Sequence, residues 1–173
     1  MALSRQQIVD AAWGILHSYG LGDLSMRRLA KDLGVQPGAL YWHVANKQEL
    51  LGILAQRMVA PLSTTALDDA APPLERAAHL TREFRSLILA VRDGAEVVSV
   101  AHAITPEDLS PVPELVVLFT EFGSTQGDAV DTALTLVRFT LGSVTTQQTR
   151  EAMGLHTAST EAEFTAGLEL LLR

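Results

Sequence analysis

Residues 24–47 read LSMRRLAKDLGVQPGALYWHVANK, and their pattern decides the fold. Leu29, Ala30 and Leu33 recur at helical spacing, with Ser25 placed to cap the turn before them. Gly34 supplies the left-handed residue that stops this helix. Pro37 stands near the first position of a second helix, where its missing N–H leaves nothing unsatisfied. That helix covers 37–44, roughly two turns, and Asn46-Lys47-Gln48-Glu49 opens another with a capping box. A short helix between two stops, small residues in front and Tyr41, Trp42 and His43 behind, has the form a helix-turn-helix lays in a DNA major groove. Two other readings stay open at this level. Such hairpins also occur in helical proteins that never touch nucleic acid, and Tyr41 and Trp42 could be half-buried core.

Outward from this stretch the chain keeps to helical periods. A helix over 4–19 has a Ser4–Gln7 capping box, a buried stripe of Ile8, Ala11, Ala12, Ile15 and Leu16, and Gly20 as its stop. Another over 47–59 carries Leu50, Leu51, Leu54 and Met58 and ends before Pro61; 63–73 reads as a loop. A long helix over 73–91 shows Leu74, Ala77, Thr81, Phe84, Ile88 and Val91 on one face, widened by Leu80 and Leu87, so more than one side is enclosed. Arg92-Asp93-Gly94 ends it, and 95–103 is a short apolar piece.

A helix over 113–122 stops at Gly123, and the next covers 125–149. One face of the latter is large (Val130, Leu134, Val137, Leu141, Val144); the adjoining face is small (Ala129, Ala133, Thr140, Ser143, with Gly142 nearby) and lets another helix come close. Thr160 and Glu163 cap a last helix with Phe164, Gly167, Leu168, Leu171 and Leu172. No strand pattern or repeat appears, so the fold class is all-α. The helices divide into a three-helix part over 1–47 and a longer part over 48–173, with helix 47–59 as connector.

Composition narrows the classes. A chain of 173 residues with 47% hydrophobic and 19% charged residues forms a packed core and is not disordered. No apolar run approaches the roughly 20 residues that span a bilayer, and residues 1–9 lack the form of a signal peptide. The absence of cysteine excludes disulfides, thiol nucleophiles and cysteine-zinc sites, and a cytoplasmic location is the simplest reading. Histidines at 17, 43, 79, 102 and 156 have no metal-ligand spacing, and no phosphate loop or nucleophile elbow exists, so neither an enzyme nor a cofactor is expected.

The net charge of −7 divides unevenly. Residues 1–57 hold Arg5, Arg27, Arg28, Lys31, Lys47 and Arg57 against Asp10, Asp23, Asp32 and Glu49, a net +2. Residues 58–173 hold seven bases and sixteen acids, a net −9. Positive charge gathers where DNA would lie, and the acidic remainder stays off the phosphates.

The 24–47 stretch, the helix leading into it and the SMRRLA segment resemble the DNA-binding domain of the tetracycline repressor (TetR) family. LYWHV followed by Asn46-Lys47 is especially close to its tetracycline-sensing members. AVRDGAEV, RFTLGSV and FTAGLELLL are similar, in the same order, to segments of that family's regulatory core. The resemblance implies a homodimer through helices 125–149 and 160–173, reading a palindromic operator with half-sites about 34 Å apart. It implies a recognition helix led by Pro37, Gly38 and Ala39. None of these can hydrogen-bond a base edge through its side chain, so Pro37 and Ala39 would pack on thymine methyls while Gly38 admits the backbone. Direct reading falls on Arg27, toward guanine, and on Gln36. Tyr41, Trp42, His43 and Lys47 would hold phosphates, helped by the helix start at Lys47; Arg28 and Lys31 are solvated charge.

The family's tetracycline-sensing members hold a drug–magnesium chelate with polar side chains. At the corresponding positions this chain has Ser63, Leu80, Val98, Leu115 and Thr146, with Phe84 retained. That lining offers almost no donors for a hard cation. The expected effector is therefore a small hydrophobic or aromatic molecule touched by Leu80, Phe84, Ile88, Val98, Leu115, Phe119 and Leu134, with His102 and Thr140 as polar contacts. The leading function is a ligand-released transcriptional repressor. The alternative is a helical small-molecule-binding or adaptor protein without specific DNA binding.

Overall fold

The computed structural model describes residues 3–64 and 70–173, and every regular element among them is helical. The helices are α1 (Arg5–Tyr19), α2 (Met26–Asp32), α3 (Pro37–Leu40), α4 (Lys47–Val59), α5 (Pro73–Leu89), α6 (Gly94–Ile104), α7 (Val112–Phe122), α8 (Gln126–Ala152) and α9 (Thr160–Leu171). The first four form a small head. Residues from 73 onward form a body around α5 and α8, with α4 joining the two.

Local chemistry accounts for most boundaries. Ser4 Oγ accepts the Gln7 N–H while Gln7 Oε1 accepts the Ser4 N–H, which is the capping box expected for α1. Ser25 Oγ caps α2 through the Arg28 N–H. Thr125 Oγ1 caps α8 through the Asp128 N–H. The expected loop over 63–73 is described at its ends only: 61–64 belong to a 3-10 turn, and 65–69 lie outside the described residues.

Four expectations need correction. The apolar piece at 95–103 is a full helix, α6. It starts from Asp93 in the left-handed region (φ 57°) with no side-chain cap. It is a short, strongly apolar segment lying between α4 and α8, and an apolar run of that length does not separate helix from strand by pattern alone. The recognition helix is shorter than 37–44: α-helix ends at Leu40, and a turn carries the chain on through the Leu40 carbonyl, which accepts from His43 and Val44. Thr160 does not cap α9. It is the helix's first residue, and its hydroxyl donates to the Thr157 carbonyl and to Gln147 Oε1. Finally, both faces expected to pair α8 with a partner are used largely within the chain. Ala129, Ala133, Thr140, Val137, Leu141 and Val144 are all buried in the single protomer, against the α5, α6 and α7 layer.

What α8 leaves outward is more polar (Arg138, Gly142, Thr145 and Thr146), whereas α9 exposes the apolar Leu170 and Leu171. The two helices lock through Phe139, which stacks on Phe164 at 5.5 Å. A Cβ on Gly167 would sit 2.5 Å from the Phe139 ring, so only glycine admits that approach. On α5, Ala77, Leu80, Thr81, Phe84, Arg85 and Ile88 are buried, a band wide enough to confirm that several helices enclose it.

Candidate nucleic-acid interface

The turn between α2 and α3 is a Schellman motif. Gly34 (φ 67°) donates to the Lys31 carbonyl, and Val35 donates to the Ala30 carbonyl at 3.0 Å. This closes the end of α2 and turns the chain so that Pro37 begins α3. Leu29, Ala30, Leu40 and Val44 point inward and are almost fully buried. Inward packing of one side fixes which residues face out. Gln36, Pro37 and Gly38 are exposed and Ala39 is half-buried. Tyr41 is 52% and Trp42 88% exposed, so the half-buried-core reading of that pair does not hold for Trp42. His43 and Lys47 are intermediate, on the turn and at the first residue of α4.

The basic residues differ in their freedom. Arg27 is exposed and makes no hydrogen bond or ion pair among the described residues. Arg28 is not mere solvated charge: it hydrogen-bonds Asp23, lies 3.9 Å from Asp32, and rests over the Tyr19 ring at 4.1 Å. Arg28 thus ties α2 to the end of α1, leaving Arg27 as the available guanidinium.

At the start of α4, Asn46 Oδ1 accepts the Glu49 N–H at 2.8 Å, and Glu49 Oε2 reaches back to the Ala45 N–H. Glu49 Oε1 also meets Arg5 of α1 at 2.9 Å. Further along, Arg57 of α4 reaches Asp10 of α1 and lies 5.0 Å over Trp13. That guanidinium, and then the Gln6 amide, hold the Asp10 carboxyl below its ordinary value. Helix α1 is therefore clamped onto α4 by two ion pairs that the sequence alone did not reveal.

The head also touches the body directly. Asp93 Oδ2 accepts the Leu21 N–H at 2.8 Å, and α6 packs along α4. Gly94 is required here, because a Cβ would stand 2.4 Å from the Ile88 carbonyl oxygen.

The expected ligand wall is close-packed. Leu80, Phe84, Ile88, Val98, Leu115, Phe119, Leu134 and Thr140 are all buried core, and the Thr140 hydroxyl donates to the Leu136 carbonyl. None of them lines any of four cavities found among the described residues. His102 alone does. Of the positions aligned with the drug–magnesium site, Leu80, Val98 and Leu115 are buried apolar side chains, and the exposed Thr146 donates to the Gly142 carbonyl. The Ser63 side chain lies outside the described residues.

The largest of the four cavities, about 550 Å³, lies between α6 and α8. His102 opens onto it beside Arg138, Ser99 and Thr145, which the sequence reading missed. Ser99 shares one helical side with His102, Ala103 and Pro106, at steps of three or four residues, and that side is visible only once 94–104 is read as a helix. His102 is 7% exposed, and burial, followed by the Arg138 charge, holds its pKa below the ordinary histidine value.

Residues 8–52 match the family described as bacterial regulatory proteins, tetR family, and residues 73–171 match the tetracyclin repressor-like C-terminal domain. The class A tetracycline repressor from transposon 1721 of Escherichia coli is 36% identical over 147 residues, 84% of this chain and 68% of that one. Among solved structures, BioQ of Mycobacterium smegmatis superposes with a TM-score of 0.84 at 34% identity, covering 98% of this chain and 96% of that one. BioQ with its double-stranded DNA operator superposes with a TM-score of 0.78 at 35% identity, again covering 98% and 96%.

Proposed function

The chain belongs to the TetR family of bacterial regulators, and from that premise we propose that it is a ligand-released transcriptional repressor. It acts as a homodimer on a palindromic operator. The observation that carries this is the α2–α3 surface. One side is sealed into the core by Leu29, Leu40 and Val44, while Trp42, Tyr41 and an unpaired Arg27 project from the other. An 88% exposed tryptophan buries little apolar area in the fold itself, and a cationic neighbour makes a nucleic-acid backbone its natural cover.

We assign the labour as follows. Residues 1–47 read DNA, and 48–173 bind effector and partner, with 47–59 as connector. Arg27 and Gln36 address base edges; Pro37, Gly38 and Ala39 approach the groove floor; Tyr41, Trp42, His43 and Lys47 grip phosphates. An effector that displaces α6 moves α4, because the two helices pack together. It also strains the Asp93–Leu21 bond to the head. The two recognition helices of the dimer then lose their one-turn spacing, and operator affinity falls by linkage. The buried apolar residues at the positions of the drug–magnesium site argue against a tetracycline chelate as that effector. The protein works in the cytoplasm and has no enzymatic role. A helical adaptor without DNA binding is the less favoured reading, since it gives Trp42 and Arg27 nothing to do.

A gel-shift against DNA flanking the protein's own gene, repeated as salt rises, tests the proposal. A saturable site whose affinity falls steeply with salt supports it. Indifference to every palindromic segment refutes it.

A further inference from the structure

Each wall of the α6–α8 cavity is one helical stripe. Ser99, His102, Ala103 and Pro106 recur at three- and four-residue steps along α6 and its exit, and Arg138, Leu141, Gly142 and Thr145 do the same along α8. The start of α6, at Ala95 and Glu96, lies beside the end of α8, at Gln148 and Met153, so the two helices run antiparallel. Arg138 therefore stands with His102 at one end of the cavity, and Ser99 with Thr145 at the other.

The polar groups here are unsatisfied. His102 is buried, and its ring nitrogens make no hydrogen bond of good geometry, with only a weak contact to the Pro106 backbone. Within the single protomer Arg138 is exposed and has no hydrogen bond or ion pair among the described residues. The lining also contradicts its surroundings: residues 58–173 carry a net −9, yet these walls present an arginine and a histidine and no carboxylate. Between the polar ends, Ala103, Pro106, Leu141 and Gly142 leave an apolar floor. A volume of about 550 Å³ accepts a drug-sized molecule rather than a bare ion.

Resting on the repressor reading above, we propose that this cavity, rather than the packed core, holds the effector, and that the effector is an organic carboxylate with an apolar body. Its carboxylate lies on the Arg138 guanidinium, a planar fork suited to that group. The neutral His102 ring donates one N–H to the ligand. The apolar body fills the floor between the helices and presses on α6, whose opposite side packs against α4. A neutral ligand of the same shape leaves the guanidinium desolvated without a partner, which is the source of selectivity.

Thermal melting of the full chain with octanoate, cinnamate and 2-naphthoate, each beside its primary amide, decides the matter. At least one acid should raise the melting temperature progressively with concentration while its amide does not. The Arg138→Gln variant should need at least ten times more of that acid for the same rise. Arg138→Lys should retain most of the response, and both unliganded variants should melt as the parent does. Equal effects of acid and amide, no effect of any acid, or an unchanged response in Arg138→Gln each overturn the inference. A gel-shift without ligand separates the two proposals. Loss of operator binding by the parent protein sinks the repressor reading alone, while a carboxylate-selective shift still places an acid in this cavity.

Discussion

The Asp93 carboxylate accepts the backbone N–H of Leu21 at 2.8 Å, across 72 residues of sequence, and so joins the DNA-binding head to the body. Asp93 itself sits in the left-handed region (φ 57°), which asparagine tolerates far better than alanine. Asp93→Ala should therefore lose both a charge-assisted bond and backbone compatibility, about 2–3 kcal/mol together. Asp93→Asn should lose less than half of that. Denaturant midpoints at constant slope measure the difference; equal losses would show that the left-handed backbone contributes nothing.

Trp42 and Leu40 are two residues apart and belong to opposite worlds, one 88% exposed and the other fully buried. Trp42→Ala should leave stability within about 0.5 kcal/mol of the parent while weakening operator binding. Leu40→Ala should cost about 2–5 kcal/mol of stability. A Trp42→Ala protein that melts early yet binds DNA normally would remove this residue from the interface.

Arg27 is the free guanidinium of α2, whereas Arg28 is already held by Asp23 and Tyr19. Arg27→Ala should cost about 1–3 kcal/mol of discrimination at one operator position and relax base preference there. Lys47→Ala should weaken binding alike on all sequences and lower the salt slope by about 1. Competition binding with single-base operator variants distinguishes them. A uniform loss for Arg27→Ala refutes the base contact.

Legibility from sequence followed the strength of local signals. The head was readable because its stops are chemical: Ser4 with Gln7, Ser25, Gly34, Pro37 and Asn46 each act through a hydrogen bond or a φ preference within a few residues. Helix α6 was not, because a short, strongly apolar run does not distinguish helix from strand, and Asp93 begins it without a side-chain cap. The cavity depended on α6, so Arg138, Ser99 and Thr145 went unnoticed beside the core residues Leu80 and Phe84. Long-range ties such as Arg5–Glu49 and Asp93–Leu21 leave no periodic trace at all.

His102 offers a pH test. Burial, with the Arg138 charge behind it, lowers its folded pKa below 6.5. The unfolded chain then binds more protons than the folded one between those two values, so stability is full above 6.5 and declines as pH falls through that window. His102→Leu should flatten this decline while leaving the acid loss from carboxylates at lower pH unchanged. Melting curves between pH 7.5 and about 5 show it; an identical decline in the variant assigns the titration to another group.

Arg85 is 5% exposed at its side chain, hydrogen-bonded to Glu161 and Gln147, and lies 4.7 Å over the Phe164 ring, so a buried charge of α5 holds α9. Removing one partner of a buried pair costs about 3–5 kcal/mol when both are enclosed. Glu161 is 67% exposed, so water replaces part of what it supplies. Glu161→Ala should therefore cost only about 1–2 kcal/mol. In an Arg85→Met background, where no buried charge needs a partner, the same Glu161→Ala change should fall within about 0.5 kcal/mol of neutral. A double-mutant cycle reads that coupling directly. On the expectation that α9 contributes to the dimer interface, Glu161→Ala should shift the monomer–dimer balance toward monomer in sedimentation, and this shift should vanish in the Arg85→Met background. Equal costs of Glu161→Ala in both backgrounds would mean that the Arg85–Glu161 pair does not hold α9.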